Sequence, residues 1–378
     1  MSDEKKSVVY LPGINGLRAI AAMAVVVSHT SKSLIFFNLN PIIFGTGDNG
    51  TPEGFALAGF GVSIFFAISG FLITYLLLLE KENNIISVRK FYVRRILRIW
   101  PLYYLYLSIC LVVIVIIHES VNLQSLFFYI FYAANIPFTL GIPLLFVGHY
   151  WSLGIEEQFY ILWPWFMKKV KNHVELLLIL IILVLISIKV GVHFFYNGSL
   201  LDSGLQLARF QCMMIGALGA ILFYRKNKLF LMLADNKLTQ AISLLVLFIV
   251  AINRFHIFSI IDQEIICVIS VFLITGQVNI KNRLIPFENE VFDFLGKISY
   301  GIYVIHPLII FLCYSSFGNL ELNSGLKYFL VYLAVFTLTI LTASFSYNFF
   351  EKRFLRLKKK FTLVNSSGTR HLTELNQP

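Results

Sequence analysis

Arg18 and His29 stand eleven positions apart in an otherwise apolar run near the start of the chain. In a helix this spacing is about three turns, so both side chains lie near one face, roughly 16 Å apart along the axis. Titratable side chains inside long apolar segments are costly and usually functional. A neutral imidazole can take a proton from a hydroxyl group, so we predict His29 as a general base. The alternative is that Arg18 snorkels to lipid headgroups and His29 lies at a membrane interface.

A second polar cluster lies in the sequence RKFYVRRILRIWPLYY. Arg95 and Arg98 are three positions apart and share a helix face. Their planar guanidinium groups suit bidentate binding of phosphate oxygens, with Arg94 as a supporting residue. We expect the cluster to lie just before a span that begins near residue 99. Ordinary anchoring of that span by basic residues is the alternative.

The segment HYWSLGIEEQFYILWPW carries two adjacent carboxylates, Glu156 and Glu157, that enter an apolar helix. We predict that Ser152 caps this helix. One carboxylate could also stabilise the positive, N-terminal end of the helix dipole. A second carboxylate entering the membrane requires a polar partner. At least one of the two is therefore predicted to act in a site, with Trp151 and Ser152 as supporting residues.

The segment KISYGIYVIHPLII places His306 directly before Pro307. A proline inside a membrane helix frees a backbone carbonyl, which is tolerated mainly where the helix lines a cavity or packs on a neighbour. His306 suits a structural hydrogen bond or a supporting place in the site, and Tyr300 is a second supporting candidate. Small residues in GVSIFFAISGFLITY favour close helix packing rather than catalysis. They are Gly61, Ser63, Ser69 and Gly70.

The elements that must position these residues are apolar helices. Of the 378 residues, 58% are hydrophobic and 13% are charged, with a mean hydropathy of +0.78. Soluble domains carry about 25% charged residues, so the composition predicts an integral membrane protein. The runs are too long and too uniformly apolar for barrel strands, which predicts an all-α polytopic bundle. They lie near 14–35, 55–79, 99–118, 123–140, 151–168, 174–195, 206–224, 238–254, 259–278, 294–316 and 327–349.

The distribution of basic residues predicts the topology. The net charge of +11 comes from short clusters between apolar runs, which is typical of cytoplasmic loops and not of nucleic-acid binding. The clusters are Lys5–Lys6, Lys81 to Arg98, Lys168 to Lys171, Arg225 to Lys228, Lys281–Arg283 and Lys352 to Lys360. All of them face the cytoplasm if the run 123–140 does not cross. This predicts about ten spans, both termini inside, and residues 123–150 on the outer face.

The domain organisation follows from the same pattern. Residues 1–360 are predicted to form one membrane-embedded domain, and residues 361–378 a short polar cytoplasmic tail that we expect to be disordered. The four cysteines lie singly in apolar runs without a CxxC pair, so neither a metal site nor a disulfide framework is predicted. No Walker loop, Rossmann fingerprint, GxSxG elbow or HExxH motif occurs.

Taken in order, these motifs resemble acyltransferase family 3, a family of integral-membrane O-acyltransferases. The resemblance covers roughly residues 8–355 and implies transfer of an acyl group, by default acetyl, from cytoplasmic acyl-CoA. The implied acceptor is a hydroxyl of an extracytoplasmic glycan or related small molecule, the location is the cytoplasmic membrane, and no bound cofactor is implied. No esterase-like segment follows the apolar runs in this sequence, so we expect it to resemble the stand-alone members.

The resemblance also implies roles for single residues. By position, His29 becomes the base, and Glu156 or Glu157 the acidic residue of the WSL motif. The residues assigned to acyl-CoA are Arg18, Arg95 and Arg98.

Two other classes of function also fit part of this pattern. A transporter or flippase for a glycan or lipid-linked substrate also predicts charged residues and broken helices at membrane depth. Against it, the two halves show no inverted repeat, and the paired arginines are expected at the cytoplasmic face. A non-catalytic scaffold or sensor leaves His29 and the two glutamates unexplained.

Overall fold

The computed structural model describes residues 8–46, 56–82, 86–170, 172–278, 283–362 and 365–367. The tail residues 363–364 and 368–378, together with the clusters at Lys5–Lys6, Lys171 and Lys281, lie outside these described residues. The longer helices are α1 (Ile14–Lys32), α2 (Ala56–Glu82), α3 (Val88–Ile116), α6 (Trp151–Lys169), α7 (Val174–Tyr196), α9 (Phe210–Tyr224), α11 (Lys237–Ala251), α12 (Asp262–Val278), α13 (Glu290–Phe317) and α14 (Ser324–Ser346).

Shorter elements connect them. They are α4 (Leu123–Ile130), α5 (Asn135–Thr139), α8 (Leu200–Ala208), α10 (Lys228–Ala234) and α15 (Lys352–Lys360). Two 3₁₀ turns, Ser33–Phe37 and Gly148–Tyr150, and a π-helical turn, Tyr347–Glu351, complete the helical part. Strands β1 (Val8–Tyr10) and β2 (Asn365–Ser367) pair in parallel, a small addition to the predicted all-α fold.

The predicted polytopic helical bundle is confirmed. Seven stretches of the described chain are long and apolar enough to cross a membrane, and α10 with α11, bent by 58°, could form an eighth. The seven are Ile14–Phe37, Leu57–Glu82, Val88–Ile116, Val174–Tyr196, Leu200–Tyr224, Glu290–Phe317 and Ser324–Lys360. Helices α6 and α12, with 19 and 17 residues, pack among them.

Contacts between helices show their directions. Helices α1 and α13 are parallel, because Asn15 Nδ2 donates to Asp293 Oδ1 over 3.1 Å near both starts and His29 lies 2.8 Å from His306 farther along. Hydrogen bonds also make α3 parallel to α13 and α6 antiparallel to α3. Further contacts agree with ten helices whose directions alternate along the chain. They are α1, α2, α3, α6, α7, α9, α11, α12, α13 and α14. Helices α4 and α5 have 8 and 5 residues, too few to cross.

The two ends of the bundle differ in charge. The described basic clusters lie at the end where α1, α3 and α13 begin, which we call the basic end. They include Lys81, Arg89, Lys90, Lys168, Lys169, Arg225, Lys226, Lys228, Arg283 and the lysines of α15. The other end, which holds α4, α5 and α8, is called the opposite end. Ten membrane spans predict this distribution, in which the basic clusters all lie at one end of the bundle.

Two local predictions were wrong. Helix α3 begins at Val88, where the Ser87 side chain accepts from the backbone N–H of Lys90 over 3.3 Å, so the arginine cluster lies inside this helix and not before it. Early helix positions suit these residues because their long side chains keep the charge near the basic end while the helix continues inward. Ser152 does not cap α6, since the helix begins at Trp151 and no side chain caps it. The preceding 3₁₀ turn leads directly into α6, and the Ser152 hydroxyl bonds elsewhere.

The small residues of α2 allow close packing, as predicted. A Cβ atom on Gly70 would lie 2.0 Å from the carbonyl oxygen of Met213 in α9, and one on Gly216 would lie 2.1 Å from the carbonyl oxygen of Ala67. Both positions therefore require glycine for this helix crossing. Ser69, which the sequence also assigned to packing, lies instead in the site described next.

Candidate functional site

An interior cavity of about 90 Å³ lies among α1, α2, α3, α6 and α13. Its apolar wall comes mainly from α2, including Val62, Phe65 and Phe66. Its polar lining consists of Arg18, Ser69, Arg95, Arg98, Ser152, Glu156, Tyr160, Ser299, Tyr300 and Tyr303. The fold thus brings together candidates that the sequence placed in four separate motifs.

A wider cavity of about 340 Å³ continues from the first toward the basic end. The two cavities share Arg18, Ser69, Arg95 and Arg98 in their walls. We call the wider cavity the basic funnel, because its charged lining consists of Arg18, Glu80, Arg94, Arg95, Arg98, Lys297, Lys358 and Lys359. Seven cations face one carboxylate, which favours a polyanionic ligand.

The arginines of the funnel are not equivalent. Arg94 is buried and forms a 2.7 Å ion pair with Glu80 of α2, and it also donates to the carbonyl oxygen of Phe361 over 3.1 Å. Arg95 lies over the ring of Tyr160 at 5.3 Å, and its buried Nε has no hydrogen-bond partner. Neither Arg95 nor Arg98 forms a salt bridge with a described residue, and the same holds for Arg18. Arg94 is therefore a structural tie, whereas the other three are available to an anion.

The two adjacent glutamates point to different neighbours. Glu156 lines the interior cavity and accepts hydrogen bonds from the hydroxyl groups of Ser69 and Tyr160. Glu157 accepts from Trp100 Nε1 of α3 over 3.2 Å, and its other carboxylate oxygen is buried without a partner. Only Glu156 lines the interior cavity, whereas the sequence analysis named both glutamates as candidate site residues.

A pair of histidines lies beyond the interior cavity. His29 Nδ1 of α1 is 2.8 Å from His306 Nε2 of α13, and His306 Nδ1 is 3.2 Å from the carbonyl oxygen of Ile302. A third histidine, His149, has its ring 5.2 Å from that of His306 and bonds the carbonyl oxygen of Val304. Within the described part of the chain no group of three or more such side chains is arranged to hold a metal ion.

The hydrogen bonds of the pair determine its proton positions. A carbonyl oxygen can only accept, so His306 Nδ1 must carry the hydrogen that Ile302 receives. In the neutral ring His306 Nε2 then has a lone pair, and His29 Nδ1 must donate to it. The remaining nitrogen of His29, Nε2, is left with a free lone pair. This is the form in which His29 can accept a proton.

Tyr303 separates the interior cavity from the histidines. Its hydroxyl group is 2.6 Å from Ser152 Oγ and donates to the carbonyl oxygen of His149 over 2.9 Å. The Tyr303 ring packs edge-on against Phe65, with centroids 6.1 Å apart, and lies 6.2 Å from the ring of His306. The ring of Tyr303 therefore adjoins both the interior cavity and the histidine pair.

Some residues of the site were missed from the sequence, and four predicted residues line neither cavity, namely His29, Trp151, Glu157 and His306. Ser69, His149, Tyr160 and Tyr303 were not assigned to the site. The spacing of Tyr300, Tyr303 and His306 at three residues could have indicated a common helix face. Trp151 does not line either cavity but packs against Phe138, Phe66 and Arg209.

Comparison with known proteins now places this arrangement. Residues 11–347 match the family of acyltransferase domains known as acyltransferase family 3. The chain belongs to acyltransferase family 3. The resemblance read from the motifs is thereby confirmed, and the chain is a multi-pass membrane protein of an acyltransferase family. No solved structure matches it.

The chain is also similar to proteins of three bacteria. A Staphylococcus aureus (strain COL) protein named putative O-acetyltransferase is 28% identical over 394 residues, covering 92% of this chain and 58% of its own length. Peptidoglycan O-acetyltransferase OatA of Listeria monocytogenes is 35% identical over 188 residues, covering 45% of this chain and 27% of its own. Putative peptidoglycan O-acetyltransferase YrhL of Bacillus subtilis is 36% identical over 172 residues, covering 42% and 24%. The chain thus spans 58% of the length of its Staphylococcus relative.

Proposed function

We propose that this chain is an O-acyltransferase of the cytoplasmic membrane that transfers an acyl group, by default acetyl, from acyl-CoA to a glycan hydroxyl. The basic end would face the cytoplasm and the opposite end the exterior. The observation that carries this proposal is the succession of the basic funnel, the interior cavity and the histidine pair. The names of the relatives favour peptidoglycan as the acceptor, and any cell-surface glycan or related small molecule has the same chemistry.

The dimensions suit acyl-CoA. Arg18, Arg95 and Arg98 could hold the pyrophosphate, because guanidinium groups bind phosphate oxygens in a bidentate manner. An extended pantetheine arm is about as long as four to five extended residues, roughly 15 Å. The axial distance from Arg18 to His29 is also roughly 16 Å. With the phosphates held in the funnel, the thioester would therefore reach the level of the histidine pair.

The proposed reaction uses the free lone pair of His29. His29 Nε2 takes the proton of the acceptor hydroxyl group, and the oxygen of that hydroxyl group attacks the thioester carbonyl carbon. The C–S bond then breaks, and the proton on His29 passes to the departing CoA sulfur, which leaves as a thiol. His306 Nε2 accepts the hydrogen bond from His29 Nδ1 throughout and stabilises the imidazolium that forms. No cofactor is consumed.

Membrane vesicles containing the chain provide the test. Incubation with [¹⁴C]acetyl-CoA and glycan acceptor should place label in the glycan, and vesicles with the His29→Ala variant should place almost none. Glycan movement across the membrane without label would support a transporter instead. Absence of both outcomes with folded, inserted protein would refute the proposed function.

A further inference from the structure

The mouth of the basic funnel is lined by one face of α15. Leu355, Lys358 and Lys359, which share a helix face, contribute to its wall, and so does Thr362 just after the helix ends. Three other cations of α15, Arg353, Arg356 and Lys360, are exposed and do not line the funnel. Two lysines of this short helix are therefore directed to the cavity that the arginines also line.

These lysines add to an unbalanced charge. Lys358 lies within electrostatic range of four funnel arginines, and neither Lys358 nor Lys359 forms a salt bridge with a described residue. The one carboxylate of the funnel, Glu80, is already paired with Arg94. Like charges gathered in a partly buried cavity repel one another, and an anionic ligand with more than one phosphate relieves this repulsion.

The position of α15 is fixed by contacts at both ends. Before it, the π-helical turn Tyr347–Glu351 separates it from α14, and the buried Glu351 carboxylate accepts from Ser346 Oγ over 3.3 Å. After it, the carbonyl oxygen of Phe361 accepts from Arg94. Turns of π-helix are rare and often occur at functional sites. The lysines thus lie at the mouth, while the three unpaired arginines lie deeper, where the two cavities meet.

We propose that Lys358 and Lys359 bind the 3′-phosphate of the acyl-CoA donor and make the enzyme selective for CoA over donors that lack this phosphate. The inference rests on the proposed function. Coenzyme A carries two separate anionic groups, the pyrophosphate and the ribose 3′-phosphate. The deeper arginines match the first, and the lysines of α15 match the second. Acyl groups on 3′-dephospho-CoA or on a carrier protein's phosphopantetheine would lose the second contact.

The test compares two donors in nanodiscs of phosphatidylcholine, which lack anionic lipid. Competition with labelled acetyl-CoA should show that wild-type protein binds acetyl-CoA roughly tenfold or more tightly than acetyl-3′-dephospho-CoA. In the double variant Lys358→Gln, Lys359→Gln this ratio should fall to about one, because binding of acetyl-CoA alone weakens. The control double variant Arg356→Gln, Lys360→Gln removes the same charge from the same helix and should keep the wild-type ratio.

The outcomes separate the two proposals. The role of the lysines in 3′-phosphate recognition would be overturned if the lysine variant lost affinity equally for both donors. It would also be overturned if the affinity ratio fell in the control variant as much as in the lysine variant. A wild-type ratio near one would also overturn it. If wild-type protein binds neither donor, the acyl-CoA donor itself is refuted. Adding phosphatidylglycerol to the nanodiscs should leave the ratio unchanged, and its collapse there would assign the lysines to lipid headgroups instead.

Discussion

At the scale of single residues, His29 lies at the level that the thioester would reach, and it has the tautomer that a general base needs. Its Nδ1 is engaged by His306, which leaves Nε2 as the acceptor of a hydroxyl proton. His29→Ala should therefore insert and bind acyl-CoA normally but lose transfer by roughly 10²–10⁴-fold, the usual contribution of a general base. His29→Gln should fail equally, because an amide cannot take up the proton. Donor binding and transfer should be measured separately, and near-normal turnover of His29→Gln would exclude His29 as the base.

His306 should act through His29 and not on the substrate. Its completely buried ring holds His29 by one hydrogen bond, and its own orientation depends on the carbonyl oxygen of Ile302. We expect His306→Ala to lower kcat by at least about tenfold with an unchanged KM for acyl-CoA. His306→Gln should recover part of kcat, since its amide oxygen can still accept from His29 Nδ1. Equal loss in both variants would contradict a role in positioning His29 through this hydrogen bond.

The two glutamates give a matched pair for mutagenesis. Glu156 faces the interior cavity and holds two hydroxyl groups, whereas Glu157 faces Trp100 outside it. Glu156→Gln should reduce transfer by about tenfold or more, because the neighbouring arginines lose their nearby negative charge. Glu157→Gln still accepts from Trp100 and should remain within about twofold of wild type. Initial rates of labelled acetyl transfer decide this, and the reverse order would contradict the assignment.

Sequence reasoning at this scale recovered the charged residues better than the neutral ones. Arg18, Arg95, Arg98 and Glu156 were recognisable because charge inside apolar runs is costly. Ser69 and Tyr303 were not, since hydroxyl groups are common in helix packing and reveal a site only when their neighbours in space are known. His149 was missed for the same reason, because its partners come from a helix about 150 positions away in the chain.

At the scale of elements, the ion pair of Arg94 and Glu80 ties α2, α3 and the end of α15 together. Removing one partner of a buried pair leaves an unpaired charge, which costs about 3–5 kcal/mol. Arg94→Gln should therefore lower the unfolding temperature in detergent and increase hydrogen exchange in α15. The double variant Glu80→Gln, Arg94→Gln should recover part of the stability. A fully additive loss would show that the two side chains do not interact.

The boundaries of elements were harder to predict than their existence. The sequence placed the third span at 99–118, but α3 begins eleven residues earlier, at Val88. Long arginine side chains can extend from a helix to the polar surface, so charge does not mark where a membrane helix begins. The π-helical turn before α15 also left no readable signal, because its residues are typical of a continuing helix.

At the scale of the whole molecule, the charge distribution carried more information than hydrophobicity. By hydropathy alone the run 123–140 could have been an eleventh span. The positions of the basic clusters required it not to cross, and the structure divides it between the short helices α4 and α5. Helix pairing was not predictable in this way, since residues that meet across the bundle, such as His29 and His306, are 277 positions apart.

The positions of the basic clusters also predict which end of the molecule faces the cytoplasm. The four native cysteines are buried, so a single exposed cysteine introduced elsewhere can be labelled against a low background. Glu119 is exposed at the opposite end, and Lys226 is exposed at the basic end. In intact cells a membrane-impermeant maleimide should label Glu119→Cys, while Lys226→Cys should react only after permeabilisation, because basic loops are retained in the cytoplasm. Labelling of Lys226→Cys in intact cells would reverse the orientation and place the basic funnel on the side that lacks acyl-CoA. Labelling of both positions from one side would instead contradict the alternation of the ten helices.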